Sequence, residues 1–117
     1  MYQIFSALQY LHEELGIAHR DVKLENIMIR KDQRTGCLNA KLIDFGLSKF
    51  FTPEETCQRP TGTLAYCSPE IVLSLPHNKS TDIWSAGIML YASFARRMPF
   101  ISADKKETVM NIVREPI

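Results

Sequence analysis

An acid, a cation and an amide lie close together within residues 19–26, as Asp21, Lys23 and Asn26. A second acid, Asp44, begins an Asp-Phe-Gly tripeptide 18 residues after Asn26. Phosphoryl transfer needs side chains of these types, because it depends on positioning and on neutralising negative charge more than on covalent chemistry. The spacing therefore indicates one part of a phosphoryl-transfer site.

The predicted elements around these motifs would bring them together. Apolar residues recur every three or four positions and predict a helix over residues 1–15 that ends at Gly16. One face of this helix carries Ile4, Leu8, Leu11 and Leu15. Two short apolar runs, residues 27–29 and 40–43, flank a polar connection and predict a β-hairpin. Pairing of these strands would place the ends of both motifs close in space, as a shared metal site requires.

The rest of the chain predicts a long loop and three further helices. Residues 47–67 show no sustained periodicity, which indicates a functional loop. Helices are predicted over residues 68–73 and 102–115. The most apolar segment, residues 80–95, predicts a helix at the centre of the core. Two residues could cap that helix, Ser80 and Thr81.

The composition of the chain argues against several classes of protein. The net charge is +1 with scattered basic residues, which argues against a nucleic-acid or membrane-surface partner. No apolar run reaches the roughly 18 residues that span a bilayer, and the first residues lack the pattern of a signal peptide. The three cysteines, with no closely spaced pair, indicate free thiols, although a redox role for Cys57 stays open. We therefore expect an intracellular protein, most simply a cytoplasmic one, with the nucleus also open.

Several motifs together resemble those of eukaryotic protein kinases. They are His19-Arg20-Asp21 with Lys23 and Asn26, then Asp44-Phe45-Gly46, and then Pro69-Glu70. The resemblance runs over nearly the whole chain. Lys23, two places after Asp21, and the stretch of residues 62–66 are similar to serine/threonine kinases. Residues 42–51 and 106–109 resemble the calcium/calmodulin-dependent and calcium-dependent kinases.

This resemblance implies roles for individual residues. Asp21 would orient the acceptor hydroxyl and take its proton, and Lys23 would neutralise charge on the transferring phosphate. Asn26 and Asp44 would hold Mg²⁺, a hard cation that prefers oxygen ligands. Other implied positions are Met28 under the adenine of ATP, Thr63 near Asp21 and Lys23, His19 packed on Phe45, Asp82 on the backbone of the catalytic loop, and Glu25 facing basic substrate residues. The implied partners are ATP and a protein with a serine or threonine acceptor.

The resemblance also implies a fold and its extent. We expect a mainly α structure with a small β-hairpin, forming part of the C-terminal lobe of the kinase fold with the N-terminal lobe absent. Residues 1–117 would be a single partial kinase domain, because no Gly-rich loop and no strand lysine of the Val-Ala-Ile-Lys type occur in them. We expect the chain alone to be inactive. The alternative is a truncated, noncatalytic interaction module.

Regulation through the long loop is a further expectation. Arg20 and Lys49 could form a cationic cluster that pairs with a phosphate group. Many relatives carry the modified threonine three residues before the glycine of the Gly-Thr pair, but Arg59 stands there in this chain. Thr56 and Thr61 remain as candidates.

Overall fold

The computed structural model describes residues 1–115. The α-helices are α1 (Tyr2–Gln9), α2 (Pro69–Val72), α3 (Ser80–Ala95) and α4 (Lys105–Arg114). The strands are β1 (Ile17–Ala18), β2 (Ile27–Lys31), β3 (Leu38–Leu42) and β4 (Lys49–Phe50). One π turn, Tyr10–Glu14, and two 3₁₀ turns, Leu24–Asn26 and Leu64–Tyr66, complete the regular structure. The architecture is a mixture of helices and two small antiparallel sheets.

The first helix buries the predicted apolar face, except at its end. Ile4, Leu8 and Leu11 are buried in the main core, but Leu15 is 41% exposed. The reason is the π turn that follows α1, in which the Leu15 amide donates to the Tyr10 carbonyl. Each residue of a π turn rotates less around the axis than in an α-helix, so Leu15 leaves the buried face. Gly16, at φ 66°, then ends the segment as predicted.

The predicted hairpin is confirmed as β2 and β3. The strands pair antiparallel from Ile27 opposite Leu42 to Lys31 opposite Leu38. The side chain of Gln3 from α1 binds the outer edge of β3, since its amide oxygen accepts from Ala40 N at 2.6 Å. The hairpin is therefore fixed to the first helix.

A second sheet crosses the region predicted as loop. β1 pairs antiparallel with β4, with Ile17 opposite Phe50 and Ala18 opposite Lys49. The amide of Phe51 continues this pairing by donating to the Gly16 carbonyl at 2.8 Å. Each of these strands has only two residues, which is too short to leave an alternating pattern in the sequence.

Helix α3 has the predicted bounds and supplies part of the core through Ala86, Ile88 and Met89. The predicted caps are wrong. Neither Ser80 nor Thr81 caps the helix with its side chain, and the Ser80 amide donates instead to the side chain of Asn78 at 2.9 Å. Asn is as good an acceptor as Ser at a helix start, so the signal lies two residues earlier than expected.

The last described helix, α4, packs against α2. Its N-terminus is capped by Asp104, whose side chain accepts from the Lys106 amide. Ile112 and Thr108 are buried, whereas Val113 is 41% exposed. No helix within residues 1–115 has the length and apolar character needed to cross a membrane.

Candidate active site

The residues around Asp21 form a turn that is fixed to the buried helix α3. Arg20 has a φ of 68°, in the left-handed region, which costs a non-glycine residue about 1–3 kcal/mol. Asp82, which is 1% exposed, stabilises this turn. Its carboxylate accepts from the amide of His19 at 2.7 Å and from the amide of Arg20 at 2.8 Å. The predicted contact between Asp82 and the loop backbone is confirmed.

Three of the predicted site residues converge on the Asp21 carboxylate. Lys23 Nζ lies 2.8 Å from Asp21 Oδ2. The Asn26 amide nitrogen donates to Asp21 Oδ2 at 3.1 Å and to the Asp21 carbonyl at 2.9 Å. Thr63 arrives from the long loop, and its hydroxyl donates to Asp21 Oδ1 at 3.0 Å while accepting from Lys23 Nζ at 2.9 Å. The four residues form one hydrogen-bonded group.

This group changes the acidity of its two charged members. Partial burial raises the pKa of Asp21, but hydrogen bonds from Lys23, Thr63 and Asn26 and the charge of Lys23 outweigh it, and the pKa falls below its ordinary value of 3.8. The hydrogen bond to Asp21 is the main reason why the pKa of Lys23 rises above 10.5. At neutral pH the site therefore holds a carboxylate beside an ammonium group.

The strand pairing brings Asn26 and Asp44 to the same edge of the hairpin. The Ile43 amide donates to the Asn26 carbonyl at 2.9 Å, so the two motifs are directly bonded. Asp44 has a φ of 62°, and its Oδ1 accepts from the Gly46 amide at 3.1 Å. The charge of Asp44 makes a small contribution to the raised pKa of Lys23.

The side chains of Asn26 and Asp44 fit the requirements of Mg²⁺. Asn26 is 7% exposed and uses its amide nitrogen for Asp21, and no hydrogen bond within residues 1–115 occupies its Oδ1. Asp44 is exposed and adds carboxylate oxygens. Among the described residues no group of three or more His, Cys, Asp or Glu side chains could hold a metal ion. Magnesium needs no such group, because it commonly combines one or two protein oxygen ligands with water and substrate phosphates.

His19 and Phe45 pack together under the site. Their ring centroids are 4.8 Å apart in an edge-to-face arrangement, as predicted. The amide of Asp21 donates to His19 Nδ1 at 3.3 Å, and His19 Nε2 lies 3.0 Å from the Ile43 carbonyl. Both bonds form when the neutral ring carries its hydrogen on Nε2. His19 thus connects the turn around Asp21 to Ile43, the residue directly before Asp44.

The structure does not bring Met28 into the hydrogen-bonded group. Met28 lies on β2, opposite Lys41, with its side chain 52% exposed on the hairpin. Glu25 is also exposed, and its carboxylate accepts a hydrogen bond of 3.4 Å from the Tyr66 hydroxyl. Both side chains are accessible from outside the chain.

Two supporting residues were missed by the sequence reasoning. His12 Nε2 lies 2.8 Å from Asp82 Oδ2, the same oxygen that accepts from the His19 amide. Lys79 Nζ donates to the His12 carbonyl at 2.7 Å and so ties the start of α3 to the π turn. The partners are 70 and 67 residues apart, and no spacing in the sequence indicates such contacts.

Comparison with known proteins identifies the family. A family model described as the protein kinase domain matches residues 1–117. The serine/threonine-protein kinase ppk16 of Schizosaccharomyces pombe is 41% identical over 122 residues, covering 98% of this chain and 17% of that protein. A probable myosin light chain kinase of Dictyostelium discoideum is 42% identical over 107 residues, covering 92% and 21%. An Aurora kinase of Debaryomyces hansenii is 40% identical over 116 residues, covering 97% and 27%.

The chain therefore belongs to the protein kinase family, and its resemblance to serine/threonine kinases is confirmed. It spans between 17% and 27% of the length of these three relatives. The relatives carry different names, so they single out no subgroup. The similarity to calcium-regulated kinases stays a prediction.

Proposed function

We propose that this chain carries the acceptor-binding and metal-binding part of a serine/threonine protein kinase, in the C-terminal lobe of its catalytic domain. The observation that supports this function best is the hydrogen-bonded group of Asp21, Lys23, Asn26 and Thr63. A noncatalytic interaction module has no need of all four side chains in mutual contact. The reaction is transfer of the γ-phosphoryl group of ATP to a serine or threonine of a protein substrate.

Asp21 is the residue that binds the acceptor hydroxyl. A carboxylate with a lowered pKa is a weak base, so it orients the hydroxyl through most of the reaction and takes its proton late. Lys23 lies beside it and neutralises charge that develops on the transferred group. Thr63 holds both side chains in position, because its single hydroxyl is bonded to each of them.

Asn26 and Asp44 are the proposed magnesium ligands, and Met28 is the proposed floor under adenine. Magnesium, when bound, neutralises charge on the phosphate groups of ATP. The exposed positions of Asp44 and Met28 leave both side chains open to a nucleotide. Residues that would cover the phosphates are not among these 117, so we propose that the isolated chain transfers phosphate poorly. A kinase of this type acts where ATP and protein substrates are found together, which favours an intracellular location.

The test compares two aspartate variants in the full-length protein that contains this chain. Asp21→Asn keeps the size of the side chain but removes the carboxylate, and we expect kcat/KM for a serine peptide to fall about 100-fold to 10,000-fold. Asp32→Asn is the matched control, because Asp32 only accepts backbone hydrogen bonds in the hairpin turn and Asn suits such turns. Equal activity of the Asp21→Asn variant and the control would refute the proposed role.

A second measurement addresses the 117-residue chain itself. Magnesium-dependent binding of ATP is measured by calorimetry on the chain alone and on the full-length protein. We expect tight, magnesium-dependent binding only for the full-length protein. A stable, folded 117-residue product that exists naturally without a longer form would favour the interaction module instead.

A further inference from the structure

The loop between the Asp-Phe-Gly tripeptide and α2 is hydrogen-bonded to other parts of the chain at several points. We name this loop, residues 47–68, the activation segment. Near its start, Phe51 continues the β1–β4 pairing through Gly16. In its middle, Cys57 and His77 exchange two backbone hydrogen bonds, at 2.8 and 2.9 Å. The cations that were predicted to bind a phosphate make two further contacts: Arg20 joins the segment to the turn before Asp21, and Lys49 makes a contact within the segment.

Arg20 binds the end of the activation segment with both its side chain and its backbone. Its Nε and Nη2 both donate to the Thr61 hydroxyl, at 3.1 and 2.8 Å. The next residue, Gly62, has a φ of 98°, and a Cβ atom at this position would lie 2.8 Å from the Arg20 carbonyl oxygen. Only glycine permits this approach. Two nitrogens of the guanidinium group therefore bind the Thr61 hydroxyl, at a place where the two backbones lie close together.

Lys49 is committed to a carboxylate within the same segment. Its ammonium group pairs with Glu55, and it also lies 4.6 Å from the centre of the Phe51 ring. The other oxygen of Glu55 accepts from the Thr52 amide at 3.4 Å, which closes a turn between these two residues. Arg20 and Lys49 therefore bind separate acceptors, Thr61 and Glu55, and their joint pairing with a phosphate stays a prediction.

We propose that Thr61 and Glu55, by binding Arg20 and Lys49, hold the activation segment in its ordered conformation, so that its order does not depend on phosphorylation. A phosphate orders a segment by attracting cations such as Arg and Lys. Here a hydroxyl supplies the acceptor for Arg20, and a carboxylate supplies the negative charge for Lys49. If the proposed function holds, the consequence is that the acceptor-binding site forms without phosphorylation by a second kinase. Only this consequence rests on the proposed function.

The position of Thr56 supports the same conclusion. Thr56 is exposed and follows Glu54 and Glu55 directly in the chain. A phosphate group on Thr56 would add about two negative charges beside these acids and compete with Glu55 for Lys49. Like charges on neighbouring residues repel, so modification of Thr56 would loosen the turn rather than order it.

The experiment is hydrogen exchange, followed by mass spectrometry, on the full-length protein without ATP. Exchange of residues 52–62 is compared before and after phosphatase treatment, and we expect no difference. Thr61→Val removes the hydroxyl and keeps the shape, and we expect about tenfold faster exchange there, because hydrogen bonds to charged groups are strong. Thr61→Ser keeps the hydroxyl and should retain the slow exchange. Glu55→Gln should speed exchange only about twofold to fivefold, because its ion pair is partly exposed.

Exchange of α3 in the same samples separates loosening of the segment from unfolding. If α3 also exchanges faster in Thr61→Val, the comparison is made with Glu55→Gln, which lies outside the core. Faster exchange of residues 52–62 after phosphatase treatment would overturn the proposal, as would unchanged exchange in both variants. Because no phosphoryl transfer is measured, failure of this proposal leaves the proposed function standing, and failure of the proposed function leaves these exchange rates unaffected.

Discussion

Asp82 accepts a hydrogen bond from the backbone amide of His19 at 2.7 Å, across 63 residues of sequence. The second carboxylate oxygen accepts from the next amide, that of Arg20. Buried helix α3 thereby fixes the backbone immediately before Asp21. Since Arg20 has a strained left-handed conformation, the loop would relax without these bonds.

We predict that Asp82→Asn destabilises the fold by about 2–3 kcal/mol, because an amide offers one acceptor oxygen where two backbone amides need one each, and hydrogen bonds to charged groups are strong. Urea unfolding of the full-length protein and its variant measures the change. Asp104→Asn is the matched control, since Asn replaces Asp well at an exposed helix cap. Equal unfolding midpoints for the two variants would contradict the anchoring role of Asp82.

The pair of Lys23 and Asp21 predicts a pH dependence with a definite sign. The folded pKa of Asp21 lies below 3.8, so its contribution to stability is present above that pH and is lost as the pH falls through the folded pKa. The folded pKa of Lys23 lies above 10.5, so its contribution is present below that pH and is lost as the pH rises further. Between these limits the pair stabilises the fold at a constant level.

Replacing Lys23 by Met should therefore raise the pKa of Asp21. The burial that raises this pKa stays, whereas the largest of the opposing hydrogen bonds and the positive charge are removed. Carboxyl chemical shifts followed through an NMR titration would measure the change. Lys105→Met, on the exposed start of α4, should leave the Asp21 titration as it is. An unchanged midpoint in Lys23→Met would contradict the electrostatic account of the site.

Cys67 should be protected from alkylation in the folded protein. Burial raises the pKa of its thiol from 9.0 to about 11, which lowers the reactive thiolate fraction at pH 8 about 100-fold. The rate of reaction with iodoacetamide, located by mass spectrometry, should rise by at least this factor when urea unfolds the chain. Exposed Cys37 serves as the internal control and should react in both states. Rapid labelling of Cys67 in the native protein would contradict the prediction, because it would show that the thiol is accessible in the folded state.

The motif residues were predictable because their chemistry depends on local spacing. Asp21, Lys23 and Asn26 share one loop, and the apolar runs on either side of the hairpin indicate why Asp44 comes near them. The extent of α3 was predictable for a related reason, since it is a continuous apolar run of helical length.

The contacts that were not predictable join residues far apart in the chain. His12 reaches Asp82, and β1 pairs with β4 through two residues a strand. Such contacts depend on how whole elements pack, and a short pairing or one side chain on a helix leaves no periodic signal. The acceptors of Arg20 and Lys49 were not predictable for the same reason. The sequence shows that both side chains are cations, but the fold decides that Arg20 binds Thr61 and Lys49 binds Glu55.

The bridging position of Thr63 gives the sharpest prediction for activity. Its hydroxyl accepts from Lys23 at 2.9 Å and donates to Asp21 at 3.0 Å, so one oxygen atom bridges two charged groups that also contact each other directly. Thr63→Val keeps the shape and removes both bonds, and we expect kcat/KM of the full-length protein to fall about tenfold to 100-fold. Thr63→Ser should restore most of the activity, and Thr35→Val, in the exposed hairpin turn, should match the unmodified protein. The loss should lie in kcat more than in KM, since Thr63 positions the reacting groups. A Thr63→Val variant with unchanged kcat would contradict this positioning role.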